Sequence, residues 1–274
     1  MVIPTIGRAD YLEVTLRSLA AQDVEAPYEV IVVDDGSTDR TPEVVSRAGV
    51  RAVRHPACRS LNAARNTGIR AARADLIAFV DDDVEAPREW LRALLAGAAR
   101  YPDAEAFGGP IRPRLEGSAL RGCGRDSPLI TSLDLGPEDR EAERVWGANL
   151  AVRRAAVSRV GRFDEALEQP CGDEEEWLER LQAAGGKIMY LAAAGLTHRR
   201  TSDDSRLSSF ARTALTRGRA ARANDRRRGA EPGLGRELHV LLGCCWHTVR
   251  RSCPRGLIMA AHSLGRVIEA LREQ

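Results

Sequence analysis

Four times in the first hundred or so residues a short apolar run gives way to a stretch with helical spacing, and that alternation restricts the chain to few folds. Val2 to Thr5 reads as an abrupt strand. Asp10 to Gln22 then carries Leu12, Leu16, Leu19 and Ala20 at the repeat of one helix face. Tyr28 to Val33 is apolar almost throughout, as a strand covered on both sides must be, and a helix through Val44 and Val45 follows. Val50 to Val53 with Leu61 to Ala72, and Leu76 to Val80 with Pro87 to Arg100, repeat the unit. Strand and helix in turn predict an α/β fold, Rossmann-like, with a mainly parallel central sheet flanked by helices and ligands received beyond the carboxyl ends of its strands.

Two of those ends are acidic: Asp34-Asp35 closes one strand and Asp81-Asp82-Asp83 another. Three adjacent carboxylates repel one another unless a cation or solvent neutralises them. Extended backbone sends Asp81 and Asp83 to one side and Asp82 to the other, so the outer two form a pair of hard oxygen donors suited to Mg²⁺ or Mn²⁺. The alternative is a solvated turn capping the next helix. At Asp34-Asp35 the choice is similar: a carboxylate accepting hydrogen bonds from a base or ribose, with Gly36 letting the chain pass closely, or a turn and cap. Neither GxGxxG nor GxxxxGK[ST] occurs, which excludes the usual dinucleotide and P-loop sites.

At 274 residues there is room for one large domain with an appendage, and 43% hydrophobic with 29% charged residues excludes a disordered chain. The cysteines, Cys58, Cys123, Cys171, Cys244, Cys245 and Cys253, show no zinc spacing and suit a reducing cytosol. Arg8, Asp10, Glu13 and Arg17 interrupt any leader-like start, and no uncharged run reaches about 18 residues, so neither a secretory leader nor a span is expected. The expected location is cytoplasmic, with peripheral contact at the inner face of the membrane as an option. From Arg199 onward sixteen arginines face seven carboxylates, a net +9 that leaves −7 for the first 198 residues.

Val2-Ile3-Pro4-Thr5, Thr15 to Leu19 through Gln22, Glu29-Val30-Ile31-Val32-Val33-Asp34-Asp35-Gly36-Ser37-Thr38-Asp39, Ala64-Arg65-Asn66-Thr67-Gly68 and Ala78-Phe79-Val80-Asp81-Asp82-Asp83 together resemble a family 2 glycosyltransferase of GT-A fold. The resemblance covers roughly residues 1 to 205. It implies an inverting, metal-assisted transfer of a sugar, as in hexosyltransferases, from a nucleotide diphosphate sugar, most often a UDP-sugar, to an acceptor hydroxyl. It places Pro4, Thr5, Arg8, Asp35, Arg65, Asp81 and Asp82 at the donor nucleotide sugar. Asp81 and Asp83 match the DxD motif and hold the Mn²⁺ or Mg²⁺, with His198 as a third ligand beside Asp83. Paired aspartates gripping a cation are the premise; an arginine of the same chain lodged there in the presence of nucleotide and manganese would remove it.

Past Arg100 the alternation weakens. Ala104 to Ile111 reads as one more strand, and Gly117 to Arg144 as a long connection of the kind that carries substrate loops. A strand from Val145 to Val152 contains Trp146, Gly147 and Asn149, which with Gly161 to Glu165 resemble further family signatures; they are assigned to the acceptor or donor sugar, Trp146 being either a stacking platform or a buried aromatic. In Gly172-Asp173-Glu174, where the family has Gly-Glu-Asp, the general base falls to Glu174 or, given the exchange, to Asp173. Lys187 to Leu191 is a short strand; His55, His239, His247 and His262 carry no assigned role.

The chain thus divides into a catalytic domain at 1–205 and a basic, amphipathic helical extension at 206–274. Leu207 to Arg228 is one helix, and Glu237 to Val249 and the stretch past Pro254 are two more, whose apolar faces pack on each other, pair two copies, or rest on an anionic membrane. Aromatics for stacking bases are missing, so nucleic acid is not an expected partner. The acceptor is a glycan, a lipid-linked glycan or a small molecule. Rival readings are a sugar nucleotidyltransferase, for which Ile6-Gly7-Arg8 is a poor opening loop, and a nucleotide-binding or scaffolding relative without turnover.

Overall fold

The computed structural model describes residues 1–117, 130–167 and 173–272. Residues 118–129 of the expected substrate loop, with Cys123, lie outside that range, as do Cys171 and Gly172. The chain forms two compact units, the first made of Met1–Arg114, Ile130–Glu165 and Asp173–Arg199.

In the first unit β1 (Val2–Thr5), α1 (Ala9–Ala20), β2 (Ile31–Asp34), α2 (Thr41–Ala48), β3 (Arg51–Arg54), α3 (Leu61–Ala71) and β4 (Leu76–Val80) follow the expected alternation. After β5 (Val84–Glu85) and α4 (Trp90–Arg100) come β6 (Ala104–Gly108) and β7 (Ile111–Leu115) in place of one expected strand. Gly108-Gly109-Pro110 breaks it, since proline donates nothing to a ladder. Then follow β8 (Arg140–Glu141), β9 (Asn149–Arg153), α5 (Arg154–Val160), α6 (Asp173–Ala183), β10 (Lys187–Tyr190) and β11 (Leu196–Arg200).

Eight strands form one sheet in the order β3-β2-β1-β4-β9-β6-β10-β8. β1, β2, β3 and β4 run parallel, as do β6 and β10, while β9 is antiparallel to both β4 and β6. Alternate residues face opposite layers. Ile3, Val32, Ala78 and Val80 pack with Leu12, Leu16 and Leu19 of α1, whereas Val2, Ile31, Val33, Ile77 and Phe79 pack with Ala64 and Ile69 of α3. Each large apolar side chain sealed this way contributes about 1.5–3 kcal/mol. Because α1 leads from β1 toward β2 and α3 returns toward β4, the winding reverses between β1 and β4, the place where sheets of this kind receive ligands beyond the strands' carboxyl ends. The β1–β4 pairing is recorded only at Val2 and Phe79, so Pro4, which has no N–H to give, sits beyond it. A smaller sheet, β5-β11-β7, lies next in sequence to the acid cluster, with His198 opposite Val84.

The second unit contains α7 (Leu207–Arg227), α8 (Leu234–Arg251) and α9 (Pro254–Arg272). Gly218 lies against the backbone of His262, and Gly265 against that of Leu215, so α7 and α9 cross with their main chains in close approach. Arg266 of α9 joins Asp225 of α7 to Glu237 of α8.

Candidate functional site

The acid cluster follows β4 directly, and Asp82 and Asp83 lie in a turn rather than in the extended backbone expected of them. Asp82 turns toward β1, where Thr5 Oγ1 donates to its Oδ2 at 2.7 Å and Arg8 Nη1 to its Oδ1 at 2.7 Å. Asp81 and Asp83 meet His198 of β11, the three offering donor atoms that all lie within 4.8 Å of one another. Arg8, just before α1, also reaches Asp83 Oδ2 at 2.7 Å and stacks over the Tyr11 ring. An arginine of the same chain therefore rests on two of the three aspartates, leaving Asp83 Oδ1 to His198.

Burial dominates the electrostatics here. It pushes the Asp82 carboxyl up to about 7, the Arg8 charge pulling against it and the neighbouring Asp83 charge adding to it. Asp81 is raised as well, first by burial and then by Asp83, with His198, Arg65 and Arg8 opposing. Burial works against the Arg8 charge, but the two aspartates outweigh it and its pKa is raised.

His198 Nδ1 lies 3.2 Å from the Thr131 carbonyl oxygen, a partner that selects the tautomer with hydrogen on Nδ1. The Nε2 lone pair then faces Asp83 Oδ1 at 2.9 Å. Two acceptors at that distance need a proton or a metal cation between them. Two carboxylates and one imidazole form a donor set that fits a divalent ion, and the nitrogen favours Mn²⁺ over Mg²⁺.

At the end of β2, Asp34 Oδ1 accepts from the Ser37 N–H at 2.8 Å, a turn-closing bond, and Ser37 Oγ accepts from the Gly7 N–H. Gly36 has φ +87° and lies against the backbone of Ala57 and Cys58, so no side chain fits. Asp35 is buried and engaged: its carboxylate takes the Arg59 N–H at 3.0 Å and His55 Nδ1 at 2.6 Å. His55 Nε2 in turn lies 2.9 Å from Thr67 Oγ1, which accepts from Arg70. Sequence reasoning passes over His55. The signal was its place one residue after β3, since the parallel β2–β3 register pairs Asp34 with Arg54 and sets the next residues side by side.

The third group joins α3, α6 and the turn before β9. Buried Arg65 lies over the Phe163 ring and reaches Glu174 Oε2 at 3.4 Å, and Glu174 Oε1 accepts the Gly147 N–H at 3.1 Å. A Cβ on Gly147 would strike the Arg65 guanidinium. Of the other residues expected here, Trp146 is partly buried with Arg144 over its ring. Asn149 is buried in β9, its amide oxygen taking the Trp90 indole N–H at 3.1 Å and its amide nitrogen donating to the Ala194 carbonyl at 2.8 Å. Asp173 opens α6, and its side chain is outside the described residues. Pro4 is buried in β1 beside Val33.

A winding reversal in a mainly parallel sheet, with a DxD acid cluster and an imidazole brought together after its β4 strand, marks a GT-A-type α/β protein. The profile of Glycosyl transferase family 2 matches residues 1–161, and the chain belongs to that family. It is 31% identical over 207 residues to the pre-mycofactocin glycosyltransferase of Mycobacterium tuberculosis, covering 72% of this chain and 42% of that protein. It is 33% identical over 218 residues to the validoxylamine A glucosyltransferase of Streptomyces hygroscopicus subsp. jinggangensis, covering 68% and 51%. The chain thus spans about half the length of these relatives. Among solved structures, the mannosyltransferase PcManGT from Pyrobaculum calidifontis, in complex with GDP-Man and Mn²⁺, superposes with TM-score 0.65 at 16% identity, covering 100% of this chain and 86% of that one, a likeness of fold.

Proposed function

We propose that this chain transfers a sugar from a nucleoside diphosphate sugar, a UDP-sugar first among candidates, to an acceptor hydroxyl with inversion. The observation that carries the reading is the convergence of Asp81, Asp83 and His198 beside Thr5, Arg8 and Asp82 after the β4 strand of a family 2 chain. Mn²⁺ held by Asp81, Asp83 and His198 would supply positive charge to the diphosphate as it departs. Arg8 is within reach of the same group, and exchanging a carboxylate partner for a phosphate is chemistry that guanidinium performs well. Asp35, with His55 behind it, faces the nucleoside end, and Arg65 orients Glu174.

Glu174 is the proposed base. Its carboxylate is gripped by the Gly147 N–H and Arg65, which fixes where it accepts a proton. Attack by the acceptor oxygen opposite the departing diphosphate inverts the anomeric carbon. The whole protein's acceptor is a hydroxyl of a glycan, a lipid-linked glycan or a small molecule.

One contact favours a second reading, a relative that binds nucleotide without turnover: Arg8 already satisfies Asp82 and Asp83. Calorimetric titration of UDP and GDP with and without Mn²⁺, followed by a panel of nucleotide sugars assayed for metal-dependent nucleotide release, separates the two. Release from one donor supports transfer. Binding with no release from any donor supports the second reading, and a complex in which Arg8 stays on both aspartates with nucleotide and Mn²⁺ supplied defeats the first.

A further inference from the structure

In the second unit, α8 and α9 carry more apolar surface than their packing consumes. α8 meets α9 through Glu237, Cys244 and Thr248: Glu237 pairs with Arg266, Cys244 Sγ lies 3.7 Å from Ser263 Oγ, and Gly256 abuts Thr248. At about 100° per residue, Leu238, Leu242 and Val249 fall on an arc roughly a third of a turn from that line, with Trp246 at its far edge. Leu242, Trp246 and Val249 are 68%, 66% and 77% exposed. On α9, Leu257, Leu264 and Leu271 recur every seventh position and are exposed, turned away from the Gly265 and Glu269 side that meets α7 and the Ser263 side that meets α8. The contacts pair residues in opposite order, so the helices are antiparallel. The two arcs lie in opposite rotational sense from one contact line and open on the same side of the hairpin. No charged residue falls on either arc.

Charge selects the occupant. From Leu207 to Arg272 thirteen arginines face four carboxylates, and three of the four, Asp225, Glu237 and Glu269, are already in ion pairs with arginines of these helices. A second copy would bring like charge against like charge. An anionic surface would not. None of the described helices is long and apolar enough to cross a membrane, so the face can lie on a bilayer but not enter it as a span.

We propose that the α8–α9 face docks on a membrane surface rich in anionic phospholipid, the leucines and Val249 in the acyl boundary, Trp246 at headgroup depth, and Arg250 of α8 and Arg272 of α9, which flank the two arcs, near the phosphates. The proposal is independent of the sugar-transfer reading. The test is flotation of the full chain with vesicles of phosphatidylcholine alone and with about 30% phosphatidylglycerol, at about 50 and about 500 mM salt. Binding should require the anionic lipid, weaken with salt, and shift Trp246 fluorescence to the blue in a way that Trp246→Phe abolishes. Leu242→Glu with Val249→Glu should weaken binding at least about tenfold, and because both side chains are exposed the melting temperature should hold. Changing Arg250 and Arg272 to Gln should reduce the salt dependence. No binding to either vesicle, binding indifferent to the two glutamates, or a dimer that those glutamates dissociate would each overturn it.

Discussion

Arg8→Ala removes the guanidinium that holds Asp82 and Asp83 by two bonds of 2.7 Å. The two carboxylates are 5% and 2% exposed, while Arg8 itself is 29% exposed. At an effective dielectric near 20, a pair about 4 Å apart gains about 4 kcal/mol, most of it offset by desolvation when the pair forms. The variant keeps the desolvated acids and loses the offset, so the cost is about 3–5 kcal/mol. At roughly 2–4 °C per kcal/mol, the metal-free variant melts about 6–20 °C below the parent at about pH 8. Asp82, already raised to about 7, escapes the penalty by taking a proton, so the gap narrows at about pH 5.5. Mn²⁺ supplies charge near Asp83 and should narrow it too, and Arg8→Ala with Asp82→Asn should recover part of the loss because one of the two stranded charges is gone. The assay is thermal and urea unfolding in chelator at both pH values. A variant within about 2 °C of the parent at about pH 8, or one equally weakened at both, refutes the reasoning.

In the other direction, the metal-free parent loses stability as pH rises. The folded Asp82 carboxyl lies above its unfolded value, so its contribution is full below about 4 and gone past about 7, as read by urea unfolding in chelator across that range. Asp83→Ala should abolish nucleotide release and weaken nucleotide binding only when Mn²⁺ is present, as read by paired titrations. Glu174→Gln should leave nucleotide affinity within about twofold and remove transfer; full transfer in that variant, with loss in Asp173→Asn, moves the base to Asp173. Gly147→Ala forces the Arg65 guanidinium aside, and overpacking of this kind costs about 1–3 kcal/mol, so a lowered melting temperature with nucleotide release down at least about tenfold is expected.

Much of the scaffold was legible because its code is local. Strands buried on both faces must be apolar throughout, helices covering them must repeat every three to four residues, and the acids at 34–35 and 81–83 necessarily fall at strand ends because they follow those runs directly. The grouping of Asp81 with Asp83 was expected from extended backbone, whereas the structure brings them together around a turn at 82–83 and lets Arg8 reach both Asp82 and Asp83. The split of β6 from β7 was marked by Gly108-Gly109-Pro110. Sequence could also place extra helices after residue 206, but not say that α8 and α9 would leave a second apolar face uncovered.

What the folded chain decided are encounters between distant segments. That β9 enters the sheet antiparallel between β4 and β6, that Arg8 meets Asp82 across 74 residues and that Arg65 meets Glu174 across 109 depend on strand order and helix placement. His55 lies against Asp35 only because two parallel strands are in register. Local periodicity encodes which face of a segment is buried, whereas the choice of burial partner is made by the sum of all the packing, and that sum exists only once the sheet has closed.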